Sequence, residues 1–280
     1  MLALSFFLVM INDIGLLGNV LLFADDTTVY ASGPSPEQAR IFVDDTLKQV
    51  KQWFARNKLS LNEGKTQELI CSLSGHQWVQ TQEVKLLGFT LDAKLTWNNH
   101  VQSVCSKLAR VVFLLQRLKP LLTEKYMLMV YFSFFHSHIL YGLLLWGHTP
   151  VCNRVLLLQK KALRIIGSAG YRDHCRPIFR ELGVLTIISQ YILGSLLHIK
   201  INQNVLPTRA EQHCHDTRRK QEINVPFCRL SKKKNCFPVL AMKLYNALPE
   251  RVTALQYKVF RSKLENWLKN TPFYTVEEFF

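Results

Sequence analysis

Two adjacent aspartates, Asp25 and Asp26, stand between two short runs of strand-forming residues, Val20–Phe23 and Thr27–Tyr30. This pattern predicts a β-hairpin with an acidic turn. Carboxylate oxygens are the ligands that Mg²⁺ prefers, and a rigid turn would hold them at a fixed point for metal-assisted phosphoryl transfer. Aspartate is also common in ordinary turns, so the pair alone does not decide between the two interpretations.

A helix with a clear start signal follows the acidic turn. Ser35 can cap this helix, and Pro36 suits its first position. Strands are predicted after the helix, at Thr66–Ser72 and Val84–Leu91. Apolar residues at helical spacing form the inner stripe of the helix: Ala39, Val43, Leu47, Val50 and Phe54.

From Trp97 onward the apolar spacing is helical. The first of these helices carries Lys107, Arg110 and Arg117 together on a face away from its apolar stripe, and Pro120 ends it. Strands and a helix followed by helices alone predict an α+β fold with a boundary near residue 95. The polar, basic segment 204–236 is expected to be a loop or a mobile arm. Further helices are predicted at 124–136, 154–167, 184–201, 237–247 and 254–269.

The positive charge is concentrated in one part of the chain. Residues 1–100 carry 8 Lys/Arg and 10 Asp/Glu, a balance of −2, whereas residues 101–280 carry 27 and 10, a balance of +17. A field of one sign attracts polyanions, of which nucleic acid is the commonest. A basic surface can also serve solubility alone, but the size of the imbalance favours nucleic acid.

The surroundings of the acidic turn resemble a known family. The run Leu-Leu-Phe-Ala-Asp-Asp-Thr-Thr-Val-Tyr at 21–30 resembles the Y/F-A-D-D box of reverse transcriptases from non-LTR (LINE-type) retrotransposons. Phe7–Ile14 is similar to the L-F-x-x-x-I-N-D-I run that precedes that box. Asn57–Thr66 matches the pattern N-x-L-x-L-N-x-x-K-[ST], and Lys85–Asp92 resembles the next strand motif.

Four later segments are similar to the C-terminal region of jockey-type elements, so the resemblance covers nearly the whole chain. They are Ser137–Gly147, Leu158–Ile166, Asp173–Gly183 and Lys243–Pro249.

The resemblance implies roles for individual residues. Asp25 would be the main Mg²⁺ ligand of the turn and Asp26 its helper, while Lys65 would face the nucleotide phosphates. Gly88 and Phe89 occupy the place of the hairpin that grips the primer. By charge, the residues expected to contact nucleic acid are Lys107, Arg110, Arg117, Lys161, Arg164, Arg218, Arg219, Lys220, Lys232, Lys233 and Lys234.

The resemblance also implies a domain order and partners. Residues 1–95 would be a partial polymerase palm of β-hairpins and a helix, 96–203 a helical thumb and connection-like region, and 204–280 a basic arm with C-terminal helices. The partners would be an RNA template and a DNA primer, with deoxynucleotides as substrates once the rest of the polymerase is supplied.

Only 24 residues precede Asp25, and the family's first catalytic carboxylate lies on an earlier strand. We therefore expect a fragment of an RNA-directed DNA polymerase that is inactive alone and binds Mg²⁺ weakly. The alternative is a non-catalytic remnant that retains nucleic-acid binding.

The cysteines and apolar stretches point to an intracellular protein, cytoplasmic or nuclear and not secreted. The seven cysteines are odd in number and contain no C-x-x-C pair, which suits a reducing compartment. His213, Cys214, His215, Cys228 and Cys236 are zinc-capable but lack a recognised ligand spacing, so no zinc is expected. Residues 127–146 have membrane length but contain two histidines, so a buried helix pair is favoured over a membrane span.

Overall fold

The structure is a computed structural model that describes residues 9–71, 83–212 and 221–280. It divides into two compact units, Met1–Leu95 and Thr96–Phe280. The first unit contains two small antiparallel hairpins and one long helix, and the second consists of helices. The coarse α+β prediction is confirmed, whereas the names palm and thumb stay predictions.

The first hairpin joins β1 (Val20–Phe23) to β2 (Asp26–Val29). The side chains of β1 alternate between a half-buried face and an exposed face, as the twofold repeat of a strand requires. The half-buried face packs against a 3₁₀ turn, Asn12–Leu17, and the long helix. The centre of this small core is formed by Ile11, Ile14 and Val50, and around them lie Leu17, Val20, Leu22, Val29, Trp53 and Phe54.

The long helix α1 spans Pro36–Arg56, in agreement with the sequence prediction. The Ser35 hydroxyl accepts a hydrogen bond from the Gln38 backbone N–H at 3.3 Å, which satisfies one free donor at the helix start. Its inner stripe faces the first hairpin through Val50 and Phe54. The helix therefore supports the strands that carry the acidic turn.

The second hairpin corrects two strand predictions. Val84–Leu91 is not one strand, because it folds back as β3 (Val84–Leu86) and β4 (Phe89–Leu91). Leu87 and Gly88 have φ values of 47° and 81°, as a two-residue hairpin turn with two left-handed residues requires. The predicted strand Thr66–Ser72 is also wrong over 66–71, because none of the described strands pairs with these residues; Ser72 lies outside the described residues.

The second unit begins with α2 (Asn98–Leu118), whose predicted apolar stripe is buried. It packs along α6 (Cys152–Ile166). Between them the predicted helix 124–136 begins as α3 (Glu124–Val130), widens into a π-helical stretch at Tyr131–His136 and continues as α4 (Ser137–Leu140).

The apolar stretch 127–146 is interrupted rather than continuous. Gly142 takes a left-handed φ of 60° and separates α4 from α5 (Leu143–Trp146). The indole N–H of the fully buried Trp146 donates to the Tyr141 carbonyl at 3.1 Å across this break. In the described ranges, no helix is both long and apolar enough to cross a membrane.

Eight helices complete the described part of the second unit from α6 onward. After α6 they are α7 (Cys175–Glu181), α8 (Ile187–Asn202), α9 (Arg209–Gln212), α10 (Ser231–Asn235), α11 (Val239–Asn246), α12 (Glu250–Thr253) and α13 (Tyr257–Asn270). Four of the eight correspond to the predicted helices at 154–167, 184–201, 237–247 and 254–269, whereas α7, α9, α10 and α12 were not predicted.

Candidate active site and nucleic-acid surface

The acidic turn is built by the register of the first hairpin. Phe23 pairs with Asp26, which leaves Ala24 and Asp25 as the two residues of the turn. Ala24 has a φ of 52°, a left-handed conformation that a non-glycine residue adopts at a cost of about 1 kcal/mol or more. The paired strands thus hold a strained turn that places Asp25 at the tip of the hairpin.

Both carboxylates of the turn are exposed. Among the described residues, the side chains of Asp25 and Asp26 have no ion-pair or hydrogen-bond partner. Their oxygens are therefore free to accept a hard divalent cation, and the donor set fits Mg²⁺ chemistry. Nowhere in the described ranges do three metal-capable side chains gather, so the turn offers at most two ligand residues.

Lys65 lies apart from the turn in the chain, at the end of a short 3₁₀ stretch, Glu63–Lys65, beyond α1. Its backbone N–H donates to the Asn62 carbonyl at 3.1 Å, and its side chain is exposed. Its neighbour Glu63 pairs with Lys51 at 3.0 Å and thereby ties this stretch to α1. No hydrogen bond within the described residues joins Lys65 to the acidic turn.

The second hairpin carries the two residues assigned to a primer-gripping role. Gly88 lies in the turn, where its φ of 81° is one that glycine adopts without strain. Phe89 follows on β4 and is half-buried.

The predicted basic face of α2 is present on the surface. Lys107, Arg110 and Arg117 are exposed and lie three or seven residues apart, so they share one side of the helix. Sequence reasoning missed Phe113 on the same side, which is 59% exposed. The Arg117 guanidinium lies over the Phe113 ring, 5.2 Å from its centre, so this ring already has a cation as its neighbour.

The two basic residues predicted on α6 have different surroundings. Lys161 is exposed. Arg164 is half-buried, and its guanidinium donates two hydrogen bonds, of 3.1 and 2.9 Å, to the Asp173 carbonyl. Arg164 therefore fastens the loop before α7, a contact that the sequence did not indicate.

Lys160, which was not among the predicted residues, lies with its Nζ 3.5 Å from the centre of the Tyr274 ring. Burial lowers the pKa of this lysine. The Arg176 guanidinium lies 4.6 Å from the centre of the same ring, and Arg176 also pairs with Glu278 at 2.8 Å. This cluster attaches the C-terminal segment to α6 and α7.

The C-terminal basic residues are described only in part. Lys232, Lys233 and Lys234 are exposed on α10. Arg218, Arg219 and Lys220 lie outside the described residues, as do His213, Cys214 and His215. Cys228 and Cys236 are half-buried free thiols, and the absence of zinc stays a prediction.

Comparison with known proteins shows a family match within the first unit. Residues 3–91 match the family described as "Reverse transcriptase (RNA-dependent DNA polymerase)". The matched range contains both hairpins, α1, the acidic turn and Lys65. No solved structure matches the chain.

Three curated relatives come from mobile elements of Drosophila melanogaster. The RNA-directed DNA polymerase from mobile element jockey is 30% identical over 59% of this chain and 20% of its own length. The probable RNA-directed DNA polymerase from transposon BS is 26% identical over 60% and 20%. The probable RNA-directed DNA polymerase from transposon X-element is 25% identical over 64% of this chain and 22% of its own length.

Over residues 3–91, the range of the family match, the chain is similar to reverse transcriptases. The chain is also similar to the RNA-directed DNA polymerases of jockey mobile elements. It spans about a fifth of the length of the curated relatives that it matches.

Proposed function

We propose that this chain supplies part of an RNA-directed DNA polymerase that copies an RNA template from a DNA primer. The observation that carries the proposal is the acidic turn: two exposed, unpaired carboxylates at the tip of a hairpin, inside the range that matches the family. A binding function alone gives no reason for a strained hairpin to present two adjacent carboxylates.

In this proposal Asp25 holds a divalent cation, with Mg²⁺ as the expected ion, and Asp26 assists. The bound ion would stabilise the charge that develops on phosphate during nucleotidyl transfer. The hairpin and α1 fix where the carboxylates stand, and Lys65 offers a positive charge to the nucleotide phosphates. Phe89 and the Gly88 turn would contact the primer.

The site is best tested in a chimaera, because the match covers only 20% of the length of the jockey polymerase. The corresponding region of the jockey polymerase would be replaced by these 280 residues. Asp25→Asn should lower primer extension roughly a thousandfold, because it removes a ligand from a two-metal site. Asp26→Asn should reduce extension less, and Lys65→Ala should slow it without loss of nucleic-acid binding.

Asp44→Asn is the matched control for this test. Asp44 is exposed on α1, lies off its inner stripe and should tolerate the change. Equal activity of the Asp25→Asn and Asp44→Asn chimaeras would show that the acidic turn is not the metal site. The 280-residue chain by itself should give no primer extension with Mg²⁺ or Mn²⁺, and extension that Asp25→Asn abolishes would contradict that expectation.

Nucleic-acid binding is assigned in the same proposal to the second unit. Its residues hold all of the net positive charge, +17 against −2 for the first unit, and α2 presents three exposed basic side chains. Binding should weaken steeply with salt, because each neutralised phosphate releases condensed counterions. The slope of log affinity against log salt concentration, called the salt slope below, measures this effect. Changing Lys107, Arg110 and Arg117 to Gln should lower the salt slope for duplex binding by up to about 3.

The control is Lys258→Gln, Arg261→Gln and Lys263→Gln on α13, three exposed cations on another helix of the second unit. Fluorescence anisotropy of a primer–template duplex at several salt concentrations measures both slopes. An equal loss of slope in the two triple variants would assign binding to net charge rather than to α2.

A further inference from the structure

Phe227 is the most exposed large apolar side chain in the described part of the chain, at 95%. It lies in a segment that the sequence suggested to be a loop or a mobile arm. A single exposed apolar residue on a loose loop needs no explanation. The surroundings of Phe227 are different, because contacts with other helices hold its segment in place both before and after Phe227 in the chain.

Before Phe227, the segment is held by Ile223, which is buried with 5% of its surface exposed. Its backbone N–H donates to the Asn246 side-chain oxygen at 3.1 Å, and the Asn246 amide donates back to the Ile223 carbonyl at 2.8 Å. Asn246 thus pairs with both backbone groups of Ile223, as a neighbouring strand would. A bridge between Thr208 and Ile223 adds a second connection on this side.

After Phe227, the segment is held by contacts at the C-terminal end of α10 and just beyond it. The Phe237 ring meets the His198 ring of α8 edge-on, with centroids 4.9 Å apart. The Lys243 ammonium donates to the Lys234 carbonyl at 3.0 Å and so holds the C-terminal end of α10. Phe227 and α10 are therefore presented from a segment anchored to α8 and α11.

The charge of this segment is one-sided. Arg229, Lys232, Lys233 and Lys234 are all exposed. Between residues 221 and 236 the one acidic residue is Glu222, which pairs with Arg209 at 3.0 Å. An exposed aromatic ring followed within seven residues by four exposed cations, which no acid of the segment neutralises, is complementary to a base next to its phosphates.

We propose that residues 223–237 form a platform for single-stranded nucleic acid, separate from the α2 face. One unpaired base stacks on Phe227, and Arg229 with the three lysines of α10 contacts the flanking phosphates. Stacking requires a free base face, which a duplex covers, so the platform selects single strands. Phe113 on α2 does not offer the same surface, because Arg117 already lies against its ring. The inference rests on the proposed nucleic-acid binding of the second unit and assigns a second site within it.

The test uses the full 280-residue chain with oligouridylate and with a hairpin duplex that has the same number of phosphates. Phe227→Ala should weaken oligouridylate binding about tenfold, leave duplex binding unchanged and leave the salt slope unchanged. Phe227→Trp should bind oligouridylate as tightly as the unchanged chain or more tightly. Lys232→Gln, Lys233→Gln and Lys234→Gln together should lower the single-strand salt slope by about 2.

Tyr171→Ala is the matched control, because Tyr171 is an aromatic residue that is 84% exposed elsewhere in the same unit. The platform is wrong if Phe227→Ala binds oligouridylate like the unchanged chain, if it weakens duplex equally, or if Tyr171→Ala has the same effect. Binding to anionic phospholipid vesicles in place of either oligonucleotide would also overturn it. Failure of the unchanged chain to bind both nucleic acids would instead contradict the proposed function itself.

Discussion

Gln159 joins three parts of the second unit from inside its core. It is 1% exposed, and its side-chain amide donates to the Tyr131 hydroxyl at 2.8 Å and to the Leu185 carbonyl at 2.9 Å. Its oxygen accepts from the Ile187 backbone N–H at 2.9 Å. One side chain therefore connects the π-helical stretch, α6 and the start of α8, and its removal would leave several buried polar groups without partners.

Gln159→Ala should lower the free energy of unfolding by about 3 kcal/mol or more, since each buried donor or acceptor left unpaired costs about 1–3 kcal/mol. Leu157→Ala on the same helix is the control, because Leu157 is 65% exposed and should change stability by less than about 1 kcal/mol. Urea unfolding followed by circular dichroism measures both. A Gln159→Ala loss no larger than that of the control would mean that the three contacts are replaceable.

At the scale of elements, the sequence predicts best where one face of an element is buried. The stripes of α1 and α2 have a clear helical period, and both helices begin and end within about two residues of the predicted bounds. The hairpin at 84–91 was predicted as one strand because its residues are mostly apolar and only Gly88 suggests a turn. Short α7 and α10 escaped prediction because five to seven residues carry too little periodicity.

The candidate sites also differ in how well the sequence predicts them. The acidic turn could be predicted because the residues that set it are adjacent in sequence. The platform around Phe227 could not, because it depends on Asn246 and His198, which are distant in sequence, and on exposure, which residue type does not reveal. Arg164 illustrates the converse: its charge suggested a ligand contact, but the fold directs it to the Asp173 carbonyl.

At the scale of the whole chain, charge and chemistry divide between the two units. The first unit holds the acidic turn and a balance of −2, and the second holds +17 with three clusters of exposed or half-buried cations on α2, α6 and α10. Such a division suits a polymerase, where the metal site needs carboxylates and the nucleic acid needs a positive surface.

The second unit also encloses histidines that should make its stability depend on pH. Burial is the main cause that lowers the pKa of His100, His136 and His148 below the ordinary value of 6.5. Lys107 lowers the pKa of His100 further, whereas a hydrogen bond with Gln190 partly opposes the shift at His136. The folded unit therefore favours neutral imidazoles, while an unfolded chain takes up protons at about pH 6.5.

The sign of the effect follows from proton uptake. Below about pH 6.5 the unfolded state binds more protons than the folded state, so the free energy of unfolding falls as pH falls toward the lowered folded pKa values. Above that range these histidines add no pH dependence, because both states are neutral.

His148→Phe should reduce the loss of unfolding free energy between neutral and mildly acid pH, since it removes one titrating group. The substitution keeps a ring beside Tyr191, whose centroid lies 6.4 Å from that of His148. His174→Gln, at an exposed position, should leave the slope unchanged. Urea midpoints are measured across this pH range. A slope that His148→Phe does not alter would show that the half-buried His148 becomes protonated within the folded unit without cost.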